Sequence, residues 1–485
     1  KLIEGRTRSP SEIHVGIHVA LASSGGTVFG HNESKPFIPA SNLKIVTSAC
    51  ALDLLGPDYR FNTDFLSQSR WRQDGLLDGD LVLRGFGDPT LADLETVELW
   101  KTVPRADKAY GLPHGLEITL ESIVQKLHRL GLREIAGDIL IDDSFFDDKR
   151  VADGWTTDDE PWFYGSQVGA LSLNENILTV VVNPSPRAGD PGTVKTAPPT
   201  SYVRVTNETT TTGEETTTSL LFTRSRAQNE IIVKGSIACG HKSVVKFMTV
   251  EDPGLYIGHV LREVLCKSGI PVSGLVRRRR VNERMQLLLR NRSAPLSSIV
   301  YYLNKASDNF YAEMLLKTMG AVAEKDGSWE GGLKVIQRFL RRQGIRSGYR
   351  IADGSGLSRY NLLTPRVLTT ILRNAWRNSN FVDSLPVAGR DKGYGTLWRR
   401  MKNTAAAGNL RAKTGTVEGV STLSGYVNSL DNRTLVFSIM TNGIVGGAKI
   451  GRDLQDRVGI VLASNRLADI PAALRDICTS LNPKT

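Results

Sequence analysis

Apolar residues recur at every second position from Ile13 through Val15, Ile17 and Val19 to Leu21, the spacing of a strand with one buried face. Ser24-Gly25-Gly26 reads as a turn into a second strand around Val28. From Asn42 to Leu55 the period lengthens to that of a helix, with Leu43, Val46, Cys50 and Leu54 on one face and Gly56 as a stop. Between Tyr59 and about Val281 the texture changes to short strands at 81–83, 139–141, 177–182 and 231–233, with one amphipathic helix at about 116–130. The threonine-rich stretch 207–219, centred on Gly213, reads as an exposed hairpin because Thr favours strands. After about Leu287 helical periods return at 297–319, 332–343, 365–376 and 447–462, with strands at 422–427 and 435–441. The two chain ends therefore share a texture that the middle lacks. The simplest organisation is one α/β domain built from both ends and interrupted by a long, β-rich insertion.

Composition narrows this picture only modestly. A chain of 485 residues, 40% hydrophobic and 23% charged, suits two to four globular domains. The excess of 61 Lys+Arg over 50 Asp+Glu, a net charge of +11, invites nucleic acid, an anionic membrane surface or an anionic polymer without choosing among them. No apolar run approaches the ~20 residues of a membrane-spanning helix. Cys50, Cys239, Cys266 and Cys478 are too few for a disulfide framework and include no C-x-x-C pair, which argues against zinc. His14 and His18 lie in the strand pattern, about 13 Å apart, and cannot share a metal. No H-E-x-x-H, phosphate loop or G-x-S-x-G elbow is present. Ile3-Glu-Gly-Arg6 matches a protease site common in expression linkers and is set aside from fold reasoning.

Three short strings supply chemistry. Ser41-Asn-Leu-Lys44, Ser307-Asp-Asn309 and Lys413-Thr-Gly-Thr416 follow one another as S-x-x-K, S-D-N and K-T-G. Chance alone yields about one or two S-x-x-K strings in such a chain, and a second copy stands at Ser243-Val-Val-Lys246. Context separates the copies. Ser41 opens a helix, so Lys44 lies one turn on, giving an otherwise inert hydroxyl a nearby amine at a helix end that favours negative charge. Ser243 lies in a strand, where positions three apart face opposite sides. The bland alternative for Ser41 is a helix N-cap. Gly415 and Gly419, near the start of a strand running from Val417 to Val427, suit close approach of a ligand, or else a β-bulge. The Lys413 ammonium with the hydroxyls of Thr414 and Thr416 suits a carboxylate, and the N–H groups of Ser41 and Thr416 suit an oxyanion.

With these motifs the chain resembles the class C low-molecular-mass penicillin-binding proteins, D-alanyl-D-alanine carboxypeptidases and endopeptidases of peptidoglycan stem peptides. The strings Gly85-Phe-Gly-Asp-Pro-Thr-Leu91, Gly137-Asp-Ile-Leu-Ile-Asp-Asp143, Tyr164-Gly-Ser-Gln-Val-Gly-Ala-Leu171, Asp353-Gly-Ser-Gly-Leu-Ser-Arg359 and Ser384-Leu-Pro-Val-Ala-Gly389 extend the likeness. So does the long gap between residues 41 and 307. The resemblance implies a penicillin-binding, serine β-lactamase-like α/β domain with an antiparallel sheet flanked by helices, formed by 7–66 and 284–485. A second domain, 67–92 with 167–283, would be inserted in it, and a third, 93–166, nested in the second. Ser41 would be the acylated nucleophile, Lys44 the proton acceptor, Ser307 a shuttle to the leaving amine and Asn309 a contact to the substrate amide. Lys413, Thr414 and Thr416 would hold the carboxylate and oxyanion region.

The same resemblance implies stem peptides as substrate, β-lactams as covalent inhibitors, no metal or organic cofactor, and an extracytoplasmic site of action with a signal peptide removed. It places 142–147 and Arg359 near the cleft as readers of the stem peptide, against the alternative of surface acids and a bracing arginine. A β-lactamase or esterase on the same scaffold is the nearest competitor, although no water-activating Glu motif appears. A nucleic-acid or anionic-polymer binding protein, suggested by Arg277–Arg280 and Arg341-Arg342, is the competitor from another class. Those arginines lack interleaved aromatics for stacking on bases, so nucleic acid is not expected, whereas peripheral contact with anionic wall polymer or membrane fits the charge.

Overall fold

The computed structural model describes residues 13–102, 116–281, 284–390 and 395–481. Ile3-Glu-Gly-Arg6 lies outside these residues. Strands β1 (His14–Leu21) and β2 (Thr27–His31) join three strands from the far end of the chain, β3 (Arg411–Val417), β4 (Val420–Asn428) and β5 (Thr434–Asn442). Together they form an antiparallel sheet of order β2-β1-β5-β4-β3. β1 pairs with β5 along its whole length, from His14 opposite Asn442 to Leu21 opposite Leu435. The two-residue period divides β5 between two cores. Leu435, Phe437 and Ile439 meet apolar residues of the helices Lys449–Ser464 and Ile470–Leu481, while Val436 and Met440 face the opposite core.

That opposite core holds α1 (Leu43–Leu55), α2 (Asn309–Glu324), α3 (Trp329–Arg342) and α4 (Pro365–Ala375). A single apolar face was expected for α1, yet every residue from Leu43 to Leu52 is buried. The helix packs against α2, α3 and α4, so small residues such as Thr47, Ser48, Ala49 and Ala51 fill what would otherwise be a polar face. His18 is buried on β1, its Nδ1 2.6 Å from Thr369 Oγ1, and burial followed by Arg366 lowers its pKa to about 4.

The expected helix at 297–319 is broken at the S-D-N string. Leu296–Tyr302 runs into a wider turn, Leu303–Ser307, which ends with Ser307 in the left-handed region at φ +65°. Asp308 is extended and caps α2, its Oδ1 accepting the Tyr311 N–H at 2.9 Å. Asp is a favoured N-cap, so the string that carries the chemistry also stops one helix and starts the next.

In the middle of the chain a second sheet orders Val276–Arg278, Ile139–Asp142, Leu81–Gly85, Asn62–Ser67 and Gln286–Arg292 side by side. Two three-stranded sheets and two short two-stranded pairs complete the β-rich region among the described residues. One of them corrects the hairpin expected at 207–219: Arg204–Thr212 and Ser219–Arg224 do not pair with each other. Glu230–Ala238 lies between them, parallel to the first and antiparallel to the second. Its Ile231, Val233 and Ile237 are fully buried, so the most apolar strand takes the centre and the threonine-rich one an edge. The second S-x-x-K copy falls on the strand Val244–Thr249, with Ser243 Oγ bonded to Asn183 Oδ1 and Lys246 exposed.

The arginine run is braced by acids. Arg277 pairs with Asp138 at 2.7 Å, Arg278 with both Asp143 and Asp252, and farther on Arg342 pairs with Asp53 at 2.8 Å. The four cysteines form no disulfide.

Candidate active site

Ser41 lies in a single 3-10 turn, Ala40–Asn42, that leads into α1. The turn is held from outside. Asn42 Nδ2 donates to the Lys413 carbonyl at 2.9 Å, and Thr422 Oγ1 donates to the Pro39 carbonyl at 2.8 Å. A Cβ at Gly415 of β3 would run into Thr422 Oγ1 on the neighbouring strand and sit 2.9 Å from the Pro39 oxygen and 3.0 Å from the Ser41 nitrogen. The glycine of K-T-G is thus required by Thr422, whose hydroxyl also ties down the Pro39 carbonyl, and by the approach of the turn carrying Ser41. Gly419, expected in the same strand, belongs instead to the turn between β3 and β4, with φ +75°.

Lys44 is fully buried in the first turn of α1. Its Nζ lies 3.0 Å from Ser41 Oγ and donates to Asn309 Oδ1 at 2.6 Å and to the Ser355 carbonyl at 2.8 Å. Lys413, also fully buried, donates to Ser307 Oγ at 2.6 Å and to the Thr414 carbonyl at 2.9 Å. The three motifs therefore close into a triangle: Lys44 to Asn309, Lys413 to Ser307, and Asn42 to the Lys413 carbonyl.

Burial dominates the electrostatics. It lowers the pKa of Lys44 to about 8, with Asp308, Asp353 and Glu313 acting in the opposite direction. Burial, and then repulsion from Lys44, holds Lys413 well below an ordinary lysine. Two ammonium groups in this space oppose each other, so an anion bound beside Lys413 would favour its charge and leave Lys44 the readier base.

A cavity of about 620 Å³ opens over this centre, with Ser41, Ser307, Asn309 and Thr416 on its wall. Lys44 and Lys413 stand directly behind the lining hydroxyls. Thr414 is also absent from the wall, and its Oγ1 lies 2.7 Å from Thr396 Oγ1. The outer wall includes Asp158, Asp159, Phe163 and Tyr164 on one side and Arg359 and Glu418 on the other. Arg359 reaches the cleft as expected and pairs with Glu418 at 3.1 Å. The acids of 142–147 do not line it: Asp142 pairs with Arg84, Asp143 with Arg278 and Asp147 with Lys317. The cleft is reached instead by residues 156–164 of the same segment, and the Tyr164 carbonyl accepts the Asn309 Nδ2–H at 3.0 Å.

Sequence reasoning missed Tyr164, the Ser355 carbonyl and Glu313 as parts of this assembly. Backbone acceptors leave no mark in residue types, although the strings containing Tyr164 and Ser355 were singled out. Gly356, in the Asp353 string, has φ +88°, and a Cβ there would run into the Ala40 carbonyl beside Ser41. Gly356→Ala should therefore cost about 2–5 kcal/mol, from left-handed strain and overpacking together, and slow acylation of Ser41. Thermal unfolding and penicillin labelling measured on the same samples check both effects.

The D-Ala-D-Ala carboxypeptidase 3 (S13) family matches residues 3–464. The chain belongs to this family. It is accordingly a serine peptidase, a hydrolase. A D-alanyl-D-alanine carboxypeptidase of Actinomadura sp. is 33% identical over 464 residues, which span 92% of this chain and 81% of that protein. The D-alanyl-D-alanine carboxypeptidase DacB of Haemophilus influenzae is 26% identical over 447 residues, 90% of this chain and 87% of that one. The crystal structure of penicillin binding protein 4 from Haemophilus influenzae superposes with a TM-score of 0.77 at 24% identity, covering 97% of both chains. The S13 fold is thus present, with an antiparallel sheet flanked by helices and β-rich insertions.

Proposed function

We propose that this S13 enzyme removes the terminal D-alanine from peptidoglycan stem peptides through an acyl-enzyme on Ser41. The observation that carries the reading is Lys44 Nζ, buried, 3.0 Å from Ser41 Oγ, with its pKa lowered to about 8. At pH 7 about a tenth of such amines are unprotonated, enough to accept the serine proton within a bound complex. Ser41 Oγ bonds to the carbonyl carbon between the last two D-alanines and its proton passes to Lys44. The N–H groups of Ser41 and Thr416 stabilise the tetrahedral oxyanion. The C–N bond then breaks as Ser307 relays to the leaving amine the proton that Lys44 took up, and water adds to the acyl carbon, its hydroxyl leaving with the shortened peptide and its proton returning to Ser41 Oγ. Asn309 meets the substrate amide. Thr416 meets the terminal carboxylate, the Lys413 ammonium behind Ser307 attracts its charge, and Thr414 steadies β3 through Thr396.

A β-lactam ring presents the same acyl group and carboxylate, so penicillin acylates the same serine and remains there. The reading extends to the architecture and the place of work. A penicillin-binding domain from 7–66 and 284–485 carries a nested pair of insertions, 67–92 with 167–283 and 93–166, and acts outside the cytoplasm beside anionic wall polymer. Its basic surface suits that polymer.

Incubation with a D-Ala-D-Ala peptide should release many equivalents of D-alanine, whereas penicillin should be consumed at about one per protein and stay bound. Rapid penicillin hydrolysis without D-alanine release would reject the peptidase in favour of a β-lactamase.

A further inference from the structure

Asn309 and Glu313 stand four residues apart on α2, one above the other on one helix face. Asn309 reaches Lys44 directly. Glu313 reaches it through the loop 353–356. The Glu313 side chain is fully buried, yet no step of the chemistry above uses it. Its Oε1 accepts the N–H groups of Gly354 at 3.0 Å and Ser355 at 2.7 Å. Its Oε2 lies 2.9 Å from the Gly354 nitrogen and accepts Trp329 Nε1–H at 2.8 Å. The carbonyl of the same Ser355 then accepts from Lys44 Nζ at 2.8 Å. The loop is tied again where Thr47 Oγ1 donates to the Gly354 carbonyl at 2.6 Å and Asp353 accepts the N–H groups of Gly356 and Ser358.

A neutral primary amine has two N–H bonds and one lone pair. With the two N–H bonds engaged by Asn309 Oδ1 and the Ser355 carbonyl, the lone pair is left for the third neighbour, the Ser41 hydroxyl. Loss of either acceptor would free the amine to rotate about Cε–Nζ, and the base would lose its aim.

We propose that Glu313 is a positioning residue for acyl transfer: by fixing the Ser355 carbonyl it engages one N–H of Lys44 and turns the lone pair toward Ser41. This rests on the Ser41–Lys44 reading above. The charged groups facing Lys44 are Asp308, Asp353 and Glu313, with Lys413 opposing its charge; those facing Glu313 are Asp353, Lys44 and Lys317. Burial, followed by Asp353, raises Glu313 to about 7, but its convergent N–H donors call for a carboxylate. Loss of that carboxylate and loss of the aimed carbonyl both disfavour the Lys44 ammonium, so both move the Lys44 titration to lower pH.

The test is the rate of Ser41 acylation by penicillin, followed by intact mass across the pH range around 8, in wild type, Glu313→Gln and Trp329→Phe. Glu313→Gln points an amide N–H at backbone N–H donors. Its plateau rate should fall roughly ten- to hundredfold and its rising limb should shift to lower pH. Trp329→Phe removes a single donor from Oε2 and should give a smaller change of the same sign. A Glu313→Gln enzyme with an unchanged profile, or with a lower plateau and an unmoved limb, overturns the positioning role. If Glu313→Gln does not fold by circular dichroism, Trp329→Phe decides alone, and a wild-type profile there overturns the proposal. Wild-type protein that takes no label on Ser41 overturns the acyl-enzyme reading itself, a failure distinct from the others.

Discussion

Ser41→Ala should take up no covalent penicilloyl group and release no D-alanine, a loss on the order of 10³-fold or more in rate. The substitution deletes one oxygen and leaves its surroundings intact. The turn that carries residue 41 is held by Asn42 to the Lys413 carbonyl, by Thr422 to the Pro39 carbonyl and by the close pass of Gly415, none of which uses the serine hydroxyl. The variant should therefore fold and still bind penicillin without reacting. Intact-mass measurement after penicillin treatment separates the outcomes: equal labelling of wild type and Ser41→Ala would remove Ser41 from the chemistry.

The second large effect is expected at Lys44. In wild type the acylation rate should climb with pH, pass its midpoint near 8 and level off above that, because only the unprotonated amine accepts the serine proton and burial has brought that titration down from the ordinary lysine range. Lys44→Ala should lower the plateau by roughly 10²- to 10⁴-fold, the span of a positioned general base, and erase the limb near 8. Stopped-flow or quenched acylation across pH measures both features. A variant that keeps the limb would transfer the base role to another group, for which Lys413, bonded to Ser307 Oγ at 2.6 Å, is the nearest candidate.

Much of this centre was legible before any geometry. The alternation in 13–21 and the helical period after Asn42 placed Ser41 and Lys44 at the mouth of a helix, because both patterns are local and strong. What escaped was non-local. The run 297–319 has the composition of one helix, and nothing in its apolar spacing announces that Ser307 adopts a left-handed conformation. Only the N-cap preference of Asp308 hinted at a restart. The threonine-rich 207–219 was misread because strand propensity says nothing about which neighbour a strand chooses, and burial of Ile231, Val233 and Ile237 made that choice. Glu313 passed unnoticed since a glutamate in a helix is ordinarily a solvated surface group. Its significance depends on a loop forty residues downstream, with Gly354 N bonded to it across a separation of 41.

The pairing of β1 with β5 bears on how the enzyme comes into being. His14 and its partner Asn442 stand 428 residues apart in the sequence. Closing so long a loop costs only logarithmically more than closing a short one, but contacts of this separation form slowly and cannot precede synthesis of the last strands. The turn around Ser41 leans on Lys413, Gly415 and Thr422, which arrive equally late. A nascent or truncated chain ending before β3 would hold Ser41 and Lys44 yet lack the walls that make them reactive. The site around Ser41 is therefore complete only once residues 411–442 have been made and have docked.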